Sequence, residues 1–528
     1  MDMSFKNKVF AKFPAKYISY KVNDERKAKE IIRGYKAVRK NNLFDDGYYL
    51  EKYPKVKSSN MDPLLHYIFF GFDEGKKPND EFDGVFYRNH YDDVDINPLL
   101  HYALYGINEN RLIRPEKVDL SKYCESGKNV LFVLHEKIGT VGGTGFLNMD
   151  IIRNLPDEYN AFILTSDGED VELWQFMDGL EKIANYSIAF NTDFSVIDND
   201  GNVISQSGFD EIFFNEDLAI VYDEILSKLN ISLVHINHLI NHSFDLIDVI
   251  TKKSIPFLLS LHDFYYICPS IHLVDKNYQY CGFECENCGG ISRDDTLSNN
   301  DILEKWRKFS KDLLNKSSYN IAPTQSVIDL YKEIYPEIDN FKLIEHGVNV
   351  NKQPVNAQLS SKPIKVLVPG HVSPHKGSLL IKEIKKLDKN NLLELHLLGT
   401  TIPNLNKYGI NHGRYERKDF NKIVDEIKPS LALILSTCPE TYSYTLTESW
   451  MAGLPVIASD LGALKERINE SDAGWLVDYR NPEDIYEFLI NIEQKDYLDK
   501  ISNISKIKFK DINEMCDNYI DLYNDLTD

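Results

Sequence analysis

The stretch Pro439–Asp460, PETYSYTLTESWMAGLPVIASD, decides how the chain is read. The apolar run before it, Leu431–Ser436, has the length and flanks of a fully buried strand, and Val456–Ser459 has those of the next parallel strand. Between them a short loop enters a helix at about Thr445, and Gly453-Leu454-Pro455 ends that helix. The unit is therefore β–loop–α–turn–β, and in open sheets of such units ligands bind at the carboxyl ends of the strands. Two carboxylates fall at defined places: Glu440 in the loop, and Glu448 in the helix, eight positions on. The amides of Tyr442, Ser443 and Tyr444 lie at the helix entrance, where unpaired N–H groups and the helix dipole favour a phosphate. The plainer alternative makes both glutamates surface carboxylates of an ordinary Rossmann-like unit.

Glu440 and Glu448 with seven residues between them, followed by AGLPVIAS, resemble the E-x7-E signature of glycosyltransferase family 4. The resemblance implies an α/β chain of the GT-B fold, with two Rossmann-like domains facing a cleft. It implies a retaining enzyme that moves a sugar from a nucleotide diphosphate sugar to a carbohydrate hydroxyl. In that family the first Glu contacts the donor sugar and the second the ribose, roles that fall here on Glu440 and Glu448.

Further residues fit the same resemblance. The family usually shows G-R-x-x-x-x-K-G; this chain has Gly370-His371 and then Lys376-Gly377. Lys376 matches the lysine that holds the donor diphosphate, while His371 stands in the arginine position. A leaving nucleoside diphosphate gains negative charge and calls for fixed cations. A histidine, with a reference pKa of about 6.5, supplies only part of one. Gly413-Arg414-Tyr415 resembles the segment that frames the base, where Arg414 or Tyr415 stacks on the base or packs locally. Gly142 and Gly143, in the glycine-rich turn after the strand Asn129–Glu136, match the loop that lies against donor phosphates, although alone the turn is not G-x-G-x-x-G. His262-Asp263, closing the strand 256–263, matches the family H-D and makes His262 a candidate for the acceptor face; a loop-capping role is the alternative. The catalytic candidates are thus Glu440, Lys376 and His262. No catalytic metal or other cofactor is required, because Lys376 and the helix-entrance amides can neutralise the leaving group.

Outward from this core, the chain divides in three. Residues 44–78 and 82–115 are copies of one repeat: Asp45, Tyr53, Pro63, His66, Tyr67 and Gly71 recur as Asp83, Tyr91, Pro98, His101, Tyr102 and Gly106. Pro followed by L-L-H-Y-x-x-x-G predicts a short helix stopped by a glycine C-cap. His66 and His101, each between Leu and Tyr, read as hydrogen-bonded core histidines rather than metal ligands. With a helix over 23–40, residues 1–116 form a basic leader and a small, mainly helical repeat domain; similar repeats accompany some bacterial polysaccharide glycosyltransferases. Residues 128–350 are expected to form the acceptor domain and 362–505 the donor domain, with His346-Gly347-Val348 resembling the crossing between them. Residues 506–528, or the segment before them, return as a helix to the acceptor domain. Residues 185–213, rich in Asn, Asp and Ser, suggest a β-rich insertion.

A net charge of −21 excludes a general nucleic-acid binder. Residues 1–40 nevertheless carry 12 Lys/Arg against 4 Asp/Glu, a net of +8, dotted with aromatics. Such a leader either rests on an anionic membrane face or is a solvated tail. No run is long enough for a membrane span and no signal-peptide core is present, so the expected location is the cytoplasm, with or without peripheral association with the inner membrane face. Four of the seven cysteines cluster as C-x12-C-x3-C-x2-C: Cys268, Cys281, Cys285 and Cys288. A structural zinc, disulfides and unligated thiols all fit that spacing. The expected partners are a nucleotide-sugar donor and a carbohydrate or lipid-linked glycan acceptor. Another GT-B enzyme, such as a phosphorylase or epimerase, or a non-catalytic carbohydrate- or nucleotide-binding module remain the alternatives.

Overall fold

The computed structural model describes residues 13–528 apart from 60, 115–117, 125, 136–137, 139–142, 169, 189, 191–212, 276, 284, 286–298, 351, 354–356 and 403–404. The chain separates into two compact units. One holds residues up to 122 together with 166–174 and 181–191, and the other holds the remainder.

The first unit is built on the repeat. Asp45 and Asp83 start the helices Asp46–Lys52 and Gly84–His90 by accepting the N–H of Tyr48 and Phe86 at 3.0 and 2.9 Å. Asp62 and Asn97 do the same for Pro63–His66 and Pro98–His101, with proline in the first turn where its missing N–H costs nothing. The expected glycine C-caps are not there. Each helix runs on through a π-turn, Tyr67–Gly71 and Tyr102–Gly106, and the glycine has another use. A Cβ on Gly71 would lie 2.0 Å from the Tyr49 hydroxyl, and one on Gly106 would lie 2.3 Å from that of Tyr87. Those two hydroxyls reach His66 and His101 Nδ1 at 3.0 and 3.2 Å. The repeated Gly, Tyr and His are therefore one packing device, with His101 buried in the core and His66 half-buried at its edge. Ile31, Val38, Tyr49, Leu65, Tyr87 and Leu100 are among the residues that close the core around it.

The strands, in chain order, are β1 Lys128–Leu134, β2 Tyr159–Ser166, β3 Val171–Phe176, β4 Leu180–Tyr186, β5 Ile231–Ile236, β6 Phe257–Ser260, β7 Tyr319–Ala322, β8 Phe341–Leu343, β9 Ile364–Val372, β10 Leu393–Thr401, β11 Ile410–Gly413, β12 Leu431–Ile434, β13 Val456–Ser459 and β14 Gly474–Val477. In the second unit β2-β1-β5-β6-β7-β8 form a parallel sheet, and β11-β10-β9-β12-β13-β14 form a second. Interior strands β6, β12 and β13 are fully buried runs, as two-sided parallel sheets require. Strands β3, β4 and β11 are not expected from the sequence, and the suspected insertion falls mostly on 191–212, outside the described residues.

The last helix, Ile512–Thr527, starts in a capping box of Asp511 and Glu514 and buries Met515, Cys516, Tyr519 and Tyr523. Tyr523 meets His235 Nδ1 of β5 at 2.7 Å, and Asn524 accepts from Tyr159 at 2.6 Å, so this segment returns to the first sheet. Gly347 admits it, since a Cβ there would come within 2.6 Å of Ile512 Cα. Among the described residues no helix is long and apolar enough to cross a membrane.

The packing device in the repeat is testable. Gly71→Ala forces the buried Tyr49 ring aside and is expected to destabilise the protein by about 1–3 kcal/mol. Tyr49→Phe removes the atom in the way, so the double variant is expected to lose less than the two single losses combined, as read by chemical denaturation.

Candidate functional site

The loop between β12 and β13 carries the site. It ends at Ser443, whose φ of 67° caps the helix Tyr444–Met451. That left-handed backbone is unfavourable for serine and is held from outside. The buried Arg467 donates to the carbonyls of Tyr442 and Ser443 at 2.9 and 3.2 Å and to the Thr447 hydroxyl at 2.8 Å. Glu440 is fixed in the same way by the chain that follows β13. Gly462, at φ 49°, lies so close that a Cβ would sit 2.8 Å from the Glu440 carbonyl oxygen, and Ala463 N–H donates to that oxygen at 2.9 Å.

Lys376 is delivered from β9 by the single turn Pro374–Lys376. Gly377, at φ 85°, then lets the chain press against the Leu435 carbonyl, 2.1 Å from where a Cβ would be. The outcome is a pair: Lys376 Nζ donates to Glu440 Oε1 at 2.6 Å, with Ser436 Oγ donating to the same oxygen. The Glu440 side chain is 12% exposed and that of Lys376 33%. Burial works against both charges, but each partner outweighs it: Glu440 is held below the ordinary carboxylate range and Lys376 above the ordinary amine range. Both are charged at neutral pH.

Glu448 forms a second pole. Its carboxylate accepts from the Tyr415 hydroxyl at 2.8 Å and pairs with Arg417 Nε at 3.1 Å. Burial pushes this carboxyl up, and Arg417 and Tyr415 offset only part of the rise. The Arg417 guanidinium also lies 3.8 Å over the Tyr444 ring and 5.1 Å from the centre of Phe146, on the helix Gly143–Arg153. Arg417 was not singled out from the sequence, where it lies two residues beyond the G-R-Y segment that was.

The other sequence candidates are placed as follows. Gly143 would carry its Cβ 3.5 Å from the Tyr444 ring, so this residue meets the helix entrance; Gly142 lies outside the described residues. His262 Nε2 bonds to Asn237 Oδ1 at 2.9 Å, and its carbonyl accepts from Thr441, the residue after Glu440, at 2.9 Å. Burial drives its imidazole down to about 3, so it is neutral. His346 stands 6.2 Å from it, ring to ring, and 4.7 Å from Tyr442, whose hydroxyl donates to the His346 carbonyl at 3.0 Å. His371 is exposed and turned to the Thr400 hydroxyl. Gly413 and Arg414 reach the surface, and only Tyr415 of that segment bonds to Glu448. Of the cysteine cluster, Cys268 is buried with its Sγ 3.3 Å from Ser270 Oγ, the Cys285 thiol donates to the Phe283 carbonyl at 3.2 Å, and Cys288 lies outside the described residues. Among the described residues no three His, Cys, Asp or Glu gather as metal ligands.

Residues 363–494, which hold both poles, match the model of the family described as glycosyl transferases group 1. A curated relative, the colanic acid biosynthesis glycosyl transferase WcaC of Escherichia coli K12, is 26% identical over 174 residues. That match covers 31% of this chain and 42% of the relative, so the chain spans less than half of its length. Among solved structures, sucrose-phosphate synthase of Thermosynechococcus elongatus superposes with a TM-score of 0.51 at 14% identity, over 76% of this chain and 99% of that one. HepE of Anabaena, solved with UDP and glucose, gives 0.47 at 15% identity, over 75% and 99%. The fold is GT-B, and its second sheet carries a glycosyltransferase group 1 segment.

The ion pair fixes a pH signature. Glu440 is depressed when folded, so its contribution to stability is present above the unfolded carboxylate value, about 4.3, and is lost as pH falls through the lower folded value. Lys376 is raised, so its contribution is present below about 10.4 and is lost as pH rises through the folded value. Glu440→Gln is therefore expected to lower unfolding stability by a constant amount from about pH 5.5 to 9, with the gap to wild type closing under acid, read as denaturation midpoints against pH.

Proposed function

We propose that the chain is a retaining glycosyltransferase of family 4 that takes a nucleotide diphosphate sugar and extends a carbohydrate acceptor in bacterial surface polysaccharide or glycoconjugate synthesis. The observation that carries the proposal is the Lys376–Glu440 pair beside the helix entrance, with Glu448 about one turn into that helix. The group 1 match over 363–494 supports it by spanning all three residues.

On this reading the donor lies along the helix Tyr444–Met451. Its ribose hydroxyls meet Glu448, its base meets Tyr415, and its diphosphate takes Lys376 and the N–H groups at Tyr442–Tyr444. Glu440, freed from Lys376, turns to the sugar hydroxyls. The C1–O bond to the diphosphate breaks, and the bond from the acceptor oxygen to C1 forms on the same face. The acceptor proton passes to the leaving phosphate oxygen, which gains charge as that bond breaks and is stabilised by Lys376 and the helix dipole. His262, neutral, serves as a hydrogen-bonding group toward the sugar and not as a cation. No side-chain nucleophile is assigned. The acceptor is a glycan, free or lipid-linked, and the basic leader over 1–40 holds the enzyme at an anionic membrane face. A structural zinc on Cys268, Cys281, Cys285 and Cys288 is part of the same proposal, checked by metal analysis of the purified chain.

One observation favours a second reading, nucleotide binding without turnover: the exposed His371 replaces a fixed cation. Nucleotide release from a panel of UDP-, GDP-, dTDP- and CMP-sugars separates the two. One donor is expected to be turned over, with Lys376→Ala and Glu440→Ala each losing about 10²–10³-fold in kcat/KM. Binding of nucleotide with no cleavage, glycans supplied, would leave the second reading standing.

A further inference from the structure

A cavity of about 700 Å³ opens beside the Lys376–Glu440 pair, and the donor as placed above leaves it empty. One wall is the segment that follows β6, contributing Asn277, Tyr278, Gln279 and Tyr280; the facing wall brings Tyr479 and Arg480 from the loop after β14. Pro374 and Thr437 line it too, and they stand two and three residues before Lys376 and Glu440.

The cavity is built rather than incidental. The described residues 273–275 and 277–281 form the two arms of a small hairpin: Val274 and Tyr280 make an antiparallel bridge, and Cys281 N–H donates to Leu273 O at 2.9 Å. The Asp275 carboxylate accepts the N–H of Asn277 and Gln279 at 2.8 and 2.9 Å. Tyr278 takes a φ of 59° and leaves its side chain 45% exposed. The hairpin is tied to the catalytic turn twice. Thr437 Oγ1 donates to the Tyr278 carbonyl, and the His272 and His375 rings stack at 4.0 Å, one residue from Lys376. Arg480 is oriented by Asp478, through Nε at 2.8 Å and Nη2 at 3.0 Å.

We propose that this cavity binds the glycan acceptor, with residues Asn277–Tyr280 and Tyr479–Arg480 setting which glycan is used. The inference rests on the transferase reading. Tyr278 and the half-buried Tyr280 offer flat, half-apolar faces to the C–H side of a sugar ring, and two carboxamides and a guanidinium offer planar groups to its hydroxyls. The volume lies in the range of sites that enclose a small organic ligand, and holds a short oligosaccharide more readily than a polymer. Position assigns the occupant. Of the two poles, Glu440 is the one next along the chain to the cavity wall at Thr437, and Lys376 the one next to Pro374, so the cavity adjoins the turns proposed to meet the donor sugar and diphosphate.

The test uses the full chain and four disaccharide probes: cellobiose, maltose, lactose and N,N′-diacetylchitobiose. Saturation-transfer NMR is run on wild type, Tyr278→Ala and Arg480→Ala, with UDP and GDP affinity measured alongside. Both substitutions are at exposed side chains, and unchanged nucleotide affinity checks that each variant is folded. The expected result is binding of at least one probe by wild type, at least tenfold weaker in both variants. No saturation transfer from any probe, or equal transfer in wild type and both variants, overturns the proposal. Probe binding in a protein that turns over no nucleotide sugar would sink the transferase reading and leave the glycan site in place.

Discussion

The site depends on bringing one ammonium and one carboxylate together at the ends of two neighbouring strands. Lys376 follows β9, Glu440 follows β12, and a 2.6 Å contact joins them. Such a pair is weak evidence for stability overall, because part of the attraction only offsets the hydration that burial removes. What it provides is orientation: two charged groups are held at a defined place before any ligand arrives. The surrounding backbone is built for that purpose. Gly377 lies against the Leu435 carbonyl, Gly399 of β10 against the Gly370 carbonyl of β9, and Gly462 against Glu440 itself. In each case a Cβ would fall within 2.9 Å of backbone, so no other residue fits without moving a strand end.

The helix entrance is held by a different means. Ser443 takes a left-handed conformation that costs free energy, and the cost is offset by Arg467, which reaches from the next helix, Gly462–Ser471, to the two carbonyls beside it. The aromatic residues on either side then complete the surface. Tyr442 is pinned to the His346 carbonyl and packs on Arg467, while Tyr444 is covered by Arg417 and approached by Gly143. The N–H groups of this turn are thus aimed by a side chain more than twenty residues away, a common way for a rigid scaffold to position a loop.

How much of this could be read beforehand follows from how local each signal is. The β12–helix–β13 unit was legible because its strands are unbroken apolar runs and its helix is bounded by a turn residue and Gly-Leu-Pro; Val456–Ser459 is a strand over the residues expected. The return of the last helix was legible as one of two options. Strand β11, Ile-Asn-His-Gly, was not, because three of its four residues are exposed and it carries no apolar pattern. Arg467 and Arg417 were missed for another reason: an arginine's partner across the fold leaves no trace at its own position. In the repeat, Gly71 and Gly106 were seen but given the wrong cause, since a glycine that admits a tyrosine hydroxyl and one that ends a helix look alike in sequence.

Both poles of the site hold a carboxylate already partnered by a cation, Glu440 by Lys376 and Glu448 by Arg417. On the proposed function, a donor entering this cleft would exchange partners rather than fill vacant charge: its diphosphate would take Lys376, and its neutral hydroxyls would take the carboxylates by hydrogen bonds. On that reading Arg417, over the Tyr444 ring and paired with Glu448, would offer the second cation that the exposed His371 does not supply. It would also limit affinity. The contacts such a donor gained at Lys376, Glu440 and Glu448 would replace ones the protein already makes, which would keep ground-state binding modest and leave the larger gain for the charge that develops as the glycosidic bond breaks.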